Sequence, residues 1–353
     1  MSAEFGRVLG RLLAREANAP IGAAEVRDAF DAILSGAWTP VQIGAFADAL
    51  RMAGETAEVI AGAAGAMRAA MAVVDHDFPL VVDTCGTGGD GSHTLNISTG
   101  AAVVVAACGL PVAKHGNRSA SSRCGSADVF EALGIPLDVP IARQGHVLRE
   151  AGIAFLFAPA HHPALRHAGQ ARSELGTRTI FNVLGPIANP ARATHQLLGV
   201  YDDALRPILA HALGCLGGVR AWVVHSEDGL DEVSPCAPTR VSELTASGDV
   251  REFVIAPEDF GIERIPRAAL VGADAATNAR ELRAILAGES HVARDAVLLN
   301  AAAALAVATG DEPRACTTRA RAALEGGAAR DTLERWTLAA RRAREPVEGA
   351  RKP

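Results

Sequence analysis

The hydrophobic period of the chain changes near residue 80. Before that point apolar residues recur three and four apart, the spacing of one helical face. Val26, Phe30, Ile33 and Leu34 make such a face, and Ser35-Gly36 ends it. Thr39-Pro-Val-Gln42 reads as a capping box with proline in the first turn. Ile43, Phe46, Leu50 and Met52 continue the apolar side, Gly54 stops it, and Thr56 caps a third helix running to about Ala72. No strand pattern precedes Leu80, so this segment is all-helical and its apolar faces need partners.

From Leu80 onward short apolar runs alternate with longer helical stretches. Strands are expected at 80–83, 111–114, 153–157, 196–201, 220–225, 239–244 and 251–255. Helices are expected at 99–108, 126–133, 141–151, 163–174, 203–216, 278–288, 292–309 and 314–342, the last broken near Gly326. Alternation of this kind implies parallel pairing with helices on both faces. The expected class is α/β, with a small all-helical N-terminal domain and a larger domain whose mostly parallel central sheet is flanked by helices. The stretch 175–195 holds Pro186, Pro190 and many polar residues and reads as a crossing between domains. The tail, 345–353, reads as frayed.

Composition narrows the class. A chain of 353 residues suits about two domains. Aromatics are only 4%, so the core must be aliphatic. A formal net charge of −6 argues against a protein that coats polyanions, and no nucleic-acid partner is expected. The first residues, Met1-Ser-Ala-Glu-Phe-Gly-Arg7, hold no apolar leader, and no apolar run approaches the ~18 residues of a membrane span. A cytoplasmic protein with no membrane partner is the expectation. Six cysteines (85, 108, 124, 215, 236 and 316) include no CxxC pair, which points to reduced thiols. For Cys85 and Cys124, a small residue beside crowded backbone is favoured over a nucleophile.

Chemistry concentrates in two loops. Asp83-Thr-Cys-Gly-Thr-Gly-Gly-Asp90 follows the apolar run Leu80-Val-Val82 directly. A strand-end turn so poor in side chains lets bare backbone N–H groups converge on a phosphate. No lysine follows the glycines, so the GxxxxGK[ST] phosphate loop is excluded. Gly86, Gly88 and Gly91 satisfy GxGxxG, but a dinucleotide site also wants an acidic residue about 20 positions on. The next expected strand ends in Lys114 instead. Between them come Thr94, Asn96-Ile-Ser-Thr99 and a small-residue helix, whose N-terminus would bring donors and a positive dipole end to the same anion. The second loop, Lys114 to Ser126, packs three cations and four serines into thirteen residues. Loops at the carboxyl ends of parallel strands share one crevice, so the two suggest a ligand with phosphate at both ends.

These segments, with Arg178-Thr-Ile-Phe-Asn-Val-Leu-Gly-Pro-Ile-Ala-Asn-Pro190 and Asp231-Glu232, resemble the anthranilate phosphoribosyltransferase family of tryptophan biosynthesis. The similarity runs in order from roughly residue 6 to 340. The resemblance implies transfer of a phosphoribosyl group from phosphoribosyl pyrophosphate to the amine of anthranilate. It also implies Mg²⁺, two per subunit, and a homodimer formed through the helical domain. The implied division is residues 1–75, with helices around 165–190 packing on them, against 76–164 and 191–353.

The resemblance further implies donor contacts at Gly86, Gly89, Asp90, Thr94, Asn96, Ile97, Ser98 and Thr99. It implies more at Lys114, His115, Gly116, Asn117, Arg118, Ser119, Ala120, Ser121, Ser122 and Ser126. Ser98, Asp231 and Glu232 would hold the metal, and Mg²⁺ asks for only one or two carboxylates besides phosphate oxygens. Elsewhere an adjacent acidic pair is ordinarily a solvated surface pair. Gly86, Asn117 and Arg172 would receive anthranilate, and a guanidinium fork suits its carboxylate. Without the match, Arg172 reads as a helix-surface arginine paired with Glu174 or solvent. An arylamine is unprotonated at neutral pH, so orientation is needed more than a strong base. Arg178 and the Gly185-Pro186 turn would close one wall of the acceptor site. His161-His162-Pro163 resembles the acceptor channel, although adjacent histidines diverge on a helix and make a poor metal pair. Leu95, Asp48 and Ala53 depart from the usual family text, where phenylalanine, an apolar residue and a lysine are common.

Two other readings remain open at this point. A nucleoside phosphorylase shares the fold, but its phosphate loop carries a Lys-His-Ser-Thr-Gly-Gly type of sequence that 83–89 does not match. A silent relative binding nucleic acid would be basic and would lack the acidic pair.

Overall fold

A computed structural model describes residues 3–14, 21–119 and 123–345. The frayed-tail expectation for 346–353 and the donor contacts at Ala120, Ser121 and Ser122 lie outside the described residues. The chain opens with four helices, α1 (Ala3–Ala14), α2 (Ala23–Leu34), α3 (Pro40–Ala53) and α4 (Ala57–Ala70). Then follow β1 (Val82–Gly86), α5 (Ile97–Ala107), β2 (Val112–Gly116), α6 (Ser126–Leu133), α7 (Ile141–Ala151) and β3 (Ile153–Phe157). Three short helices come next: α8 (Ala158–His161), α9 (Arg166–Leu175) and α10 (Phe181–Ile187). The sheet resumes with β4 (His195–Gly199), α11 (Leu205–Cys215), β5 (Arg220–Ser226), β6 (Thr239–Leu244) and β7 (Val250–Ile255). Helices α12 (Ala275–Leu286), α13 (Arg294–Thr309), α14 (Pro313–Glu325) and α15 (Ala328–Arg344) complete the chain.

The seven strands form one sheet in the order β3-β2-β1-β4-β5-β6-β7. Pairing is parallel from β3 through β5, while β6 and β7 run antiparallel at one edge. The order reverses between β1 and β4, and a reversal of this kind opens a crevice beyond the strands' carboxyl ends.

Each face of the sheet has its own core. On one side α5 and α13 are almost wholly apolar, and residues 296–308 of α13 are all buried. A helix apolar all round belongs inside a fold, which is where these two pack on one another. On the other side α11 lies against the sheet and the N-terminal helices complete the layer. An aromatic cluster anchors this layer: Phe30 meets Phe181 in a tilted contact with ring centroids 5.3 Å apart, and Trp38 meets Phe46 edge-on at 5.3 Å. Truncating Phe30, which is fully buried, would cost roughly 3–5 kcal/mol. In the same layer α9 packs on α3, and α10 packs on α4.

Local sequence accounts for the helix ends. The Thr39 hydroxyl accepts the Gln42 N–H while the Gln42 side chain accepts the Thr39 N–H, so the capping box forms as its sequence predicts. The Thr56 hydroxyl likewise accepts the Val59 N–H. Three expectations need correction. Met52 lies off the apolar side of α3, 68% exposed, because it stands two positions past Leu50, well round the helix. The supposed crossing at 175–195 contains α10, which tolerates Pro186 at its last turn. The strand expected at 80–83 instead runs 82–86, so β1 carries its pairing into the glycine turn.

Candidate active site

The carboxyl ends of β1 and β2 and the loop after β5 line a cleft of about 610 Å³, a volume suited to a small organic ligand. The glycine turn after β1 is fixed from several sides. Thr87 N–H donates to Gly199 O (2.9 Å), Gly88 N–H donates to Asp231 Oδ2 (2.9 Å), and Arg178 donates to the carbonyls of Gly88 and Gly89. Gly199 must be glycine, since a β-carbon there would run into the Asp231 carbonyl.

Lys114, on β2, is the buried cation of the site. Its ammonium donates to Thr84 O and to Ser98 Oγ (3.3 Å). Burial pulls its pKa down, and neighbouring Asp83 pushes it back up. Asp83 is itself buried, accepts the His115 N–H (3.2 Å) and the Asn189 amide (2.8 Å), and is raised to about 6 by desolvation. Thus Lys114 is held by Thr84 O and Ser98, and Asp83 holds the peptide that follows it, without a direct ion pair between the two.

Asp231 and Glu232, after β5, are half-buried carboxylates in the cleft wall. Burial raises both pKa values, and like charge adds to it: Asp90 acts on Asp231, and Asp231 acts on Glu232. Glu232 Oε1 accepts the Ser98 N–H (3.0 Å). Neither carboxylate has an arginine, lysine or histidine within ion-pair distance among the described residues. Half-buried carboxylates short of positive charge suit a cation. No group of three or more histidine, cysteine, aspartate or glutamate side chains among the described residues forms a closed cage.

The N-terminus of α5 faces the same cleft, with one departure from expectation. Its first N–H groups are already engaged: Ile97 on Leu95 O, Ser98 on Glu232, and Thr99 and Gly100 on Asn96 O. Only the dipole and the polar side chains are left for a ligand, and Thr99 Oγ1 is buried with no partner among the described residues. Ile97 is not a wall residue; its side chain is fully buried in the core.

The other expected residues distribute as follows. Gly86, Gly89, Asp90, Thr94, Asn96, Ser98, Thr99, Lys114, His115, Gly116, Asn117, Arg118, Ser119 and Ser126 all line the cleft. Arg118 sends its guanidinium to Asp128 (2.7 Å) and Glu131 (3.0 Å) on α6. Arg172 reaches the cleft from α9, on the helical side, its guanidinium 5.7 Å from the Phe181 ring centroid. Glu174 accepts from Gln170 (2.9 Å), so it does not neutralise Arg172, and desolvation lowers the Arg172 pKa.

The histidines sort themselves. His115 lines the cleft, with Nδ1 3.0 Å from Gly185 O and its ring 5.1 Å from that of His162. Burial and the neighbouring histidines hold its pKa well below the ordinary value, and His162 is lowered to about 4. His161 meets Ala72 O (2.8 Å) at the join between α8 and the N-terminal helices. Cys85 is buried and its thiol is pushed well up, so it stays protonated.

Sequence reasoning missed two groups. Asn278, on α12, is fully buried and donates to Asn96 Oδ1 (2.9 Å). Tyr201, two residues past β4, lies under the Arg178 guanidinium at 3.8 Å. A lone asparagine or tyrosine carries no motif, so only the fold reveals either.

Comparison with known proteins agrees with this geometry. Residues 79–330 match the model of the glycosyl transferase family a/b domain, and residues 8–71 match that family's helical bundle domain. An anthranilate phosphoribosyltransferase of Myxococcus xanthus is 50% identical over 331 residues, covering 93% of this chain and 96% of the relative. The chain belongs to the anthranilate phosphoribosyltransferase family. Another member, from Rhodospirillum rubrum, is 51% identical over 317 residues, with 90% of this chain and 91% of the relative covered. The crystal structure of the Thermus thermophilus anthranilate phosphoribosyltransferase superposes with a TM-score of 0.88 at 39% identity, covering 95% of this chain and 99% of that one. The Saccharomyces cerevisiae anthranilate phosphoribosyltransferase in complex with phosphoribosyl pyrophosphate and Mg superposes at 0.89 with 29% identity, covering 97% and 99%.

Proposed function

We propose that the cleft transfers the 5-phosphoribosyl group from phosphoribosyl pyrophosphate to the anthranilate amine, releasing pyrophosphate. The observation that carries this reading is the polarity of the cleft. Phosphate-type loops, Lys114 and a carboxylate pair lie at the strand ends, while Arg172 stands opposite on the helical side without a carboxylate partner.

The donor's phosphates fit the 86–91 turn and the 114–119 loop, and the anthranilate carboxylate fits Arg172 with Asn117 and Gly86 nearby. In the reaction the amine lone pair forms the bond to C1 of the ribose as the bond from C1 to pyrophosphate breaks. The proton then leaves the resulting arylammonium, which is acidic enough to need no strong base. His115, held neutral by burial, adds no positive charge to the cleft. Ser98, Asp231 and Glu232 would hold Mg²⁺, two per subunit. When bound, the metal supplies positive charge to the departing pyrophosphate.

The proposed division of the chain is 1–75 with the helices around 165–190 against 76–164 and 191–353. The packing of α9 and α10 on α3 and α4 supports it. The homodimer reading rests on an outward stripe of α3, in which Val41 is 80% exposed and Met52 follows three turns later. All six cysteines are free thiols, which supports the cytoplasm, and no helix among the described residues is long and apolar enough to cross a membrane.

Mixing the protein with Mg²⁺, phosphoribosyl pyrophosphate and anthranilate should extinguish anthranilate fluorescence. Persistent fluorescence, with base released from a nucleoside and inorganic phosphate, would replace this reading with the phosphorylase one.

A further inference from the structure

Arg178 makes a connected set of contacts that nothing in the reaction above uses. From the turn between α9 and α10 it donates to the carbonyls of Gly88 and Gly89, and its guanidinium carbon sits 3.8 Å from the centroid of the Tyr201 ring. Tyr201 is the only tyrosine of the chain, and its own N–H donates to Thr87 Oγ1 (3.1 Å) on the same turn. Arg51, from α3, donates to Arg178 O (2.6 Å) and Thr177 Oγ1 (2.9 Å), fixing the peptide that carries Arg178. No carboxylate pairs with Arg178 among the described residues. The positive charge therefore rests on two carbonyl dipoles and an aromatic face.

Peptide geometry gives this clasp a consequence. The carbonyl of Gly88 shares a planar trans peptide with the N–H of Gly89, and that of Gly89 shares one with the N–H of Asp90. Within a trans peptide the two groups point in opposite directions. With both oxygens turned to Arg178, both N–H groups turn away from it, and neither has an acceptor among the described residues. A charge on the carbonyl oxygen also polarises the peptide and strengthens its N–H as a donor. Gly89 permits the arrangement, because it has φ +78° and a β-carbon there would collide with the guanidinium.

We propose that Arg178, stacked on Tyr201, is a positioning residue that aims the N–H groups of Gly89 and Asp90 at a phosphate of the donor. Through Arg51 the helical layer thereby sets the shape of the phosphate turn. The proposal rests on the reading of the cleft as a phosphoribosyl pyrophosphate site.

The test compares Arg178→Gln, Tyr201→Leu and Tyr201→Phe with the parent, each checked by thermal unfolding. Calorimetric binding of phosphoribosyl pyrophosphate without anthranilate comes first, then KM for each substrate. Two aimed donors on a charged acceptor are worth a roughly 10- to 100-fold loss. Donor affinity should fall by that factor in Arg178→Gln and by several-fold in Tyr201→Leu, the latter, outside the cleft lining, with anthranilate KM within about twofold of the parent. Tyr201→Phe keeps the ring and should bind like the parent. Millimolar methylguanidinium should recover part of the donor affinity of an Arg178→Gly variant. A Tyr201→Leu variant that binds the donor normally while Arg178→Gln does not would overturn the clasp, making Arg178 a direct ligand. Equal losses toward both substrates, or equal damage from Phe and Leu at 201, would also overturn it. A parent protein that fails to bind the donor refutes the reading of the site instead.

Discussion

Removing Arg172 separates the acceptor half of the cleft from the donor half. The side chain comes from α9, sits over Phe181 and lacks a carboxylate partner, because Glu174 is taken by Gln170. Arg172→Ala therefore breaks no ion pair of the free protein, and its effect falls on a ligand that brings a carboxylate. A charge-assisted hydrogen bond is worth about 1.5–3 kcal/mol, and Arg172, exposed as a residue though its guanidinium is partly desolvated, is placed in the lower half of that range. At ~1.4 kcal/mol per decade, anthranilate KM should rise about 10- to 40-fold. The phosphoribosyl pyrophosphate KM should stay within about twofold, since Lys114 and the two phosphate loops lie across the cleft. Aniline supplies the control. It lacks the carboxylate, so the parent should use it poorly and the variant should lose little more. Measuring kcat/KM for both amines in both proteins gives a four-point cycle. Equal damage to the two amines, or a change confined to the donor KM, would show that Arg172 is structural or faces the donor.

Excess EDTA should abolish turnover, and Asp231→Asn with Glu232→Gln should lower it about 100-fold or more while the protein stays folded; full turnover in EDTA would dismiss the metal site. Val41→Glu with Met52→Glu should convert a dimer into a monomer by light scattering, and an unchanged mass would move the interface off α3. The buried histidines predict acid sensitivity of the fold. His162 titrates near 4 in the native protein against an ordinary 6.5, chiefly because of burial. Below 6.5 the unfolded chain takes up protons that the native one refuses, so this stability is present above 6.5 and lost as pH falls towards 4. At ~1.36 kcal/mol per pH unit the contribution is at most about 3 kcal/mol. Unfolding midpoints of His162→Gln should therefore vary less with pH between those limits than the parent's, and parallel curves would refute the assignment.

What could be read from the sequence divides along a physical line. Hydrophobic period and turn chemistry act locally, so three of the four N-terminal helices (α2, α3 and α4), the strand–helix alternation and the two loops are legible in the sequence, while α1 is not. The capping box at Thr39 formed because all its partners lie within four residues. Met52 was misplaced for the opposite reason: apolar character says nothing about which way a helix position faces once the spacing slips. The α5 N-terminus illustrates a subtler limit. Its residues do suggest an anion site, yet Glu232, 134 positions away, already holds the Ser98 N–H. Arg178 shows the same dependence on distance. Its sequence context resembles a family motif and implies a wall of the acceptor site. What it touches is fixed by β1 and β4 lying side by side, which brings Gly88 and Tyr201 within reach of one guanidinium. Motifs name the groups that meet a substrate. The order of the strands decides which other groups hold them there, and that order is where positioning residues must be sought.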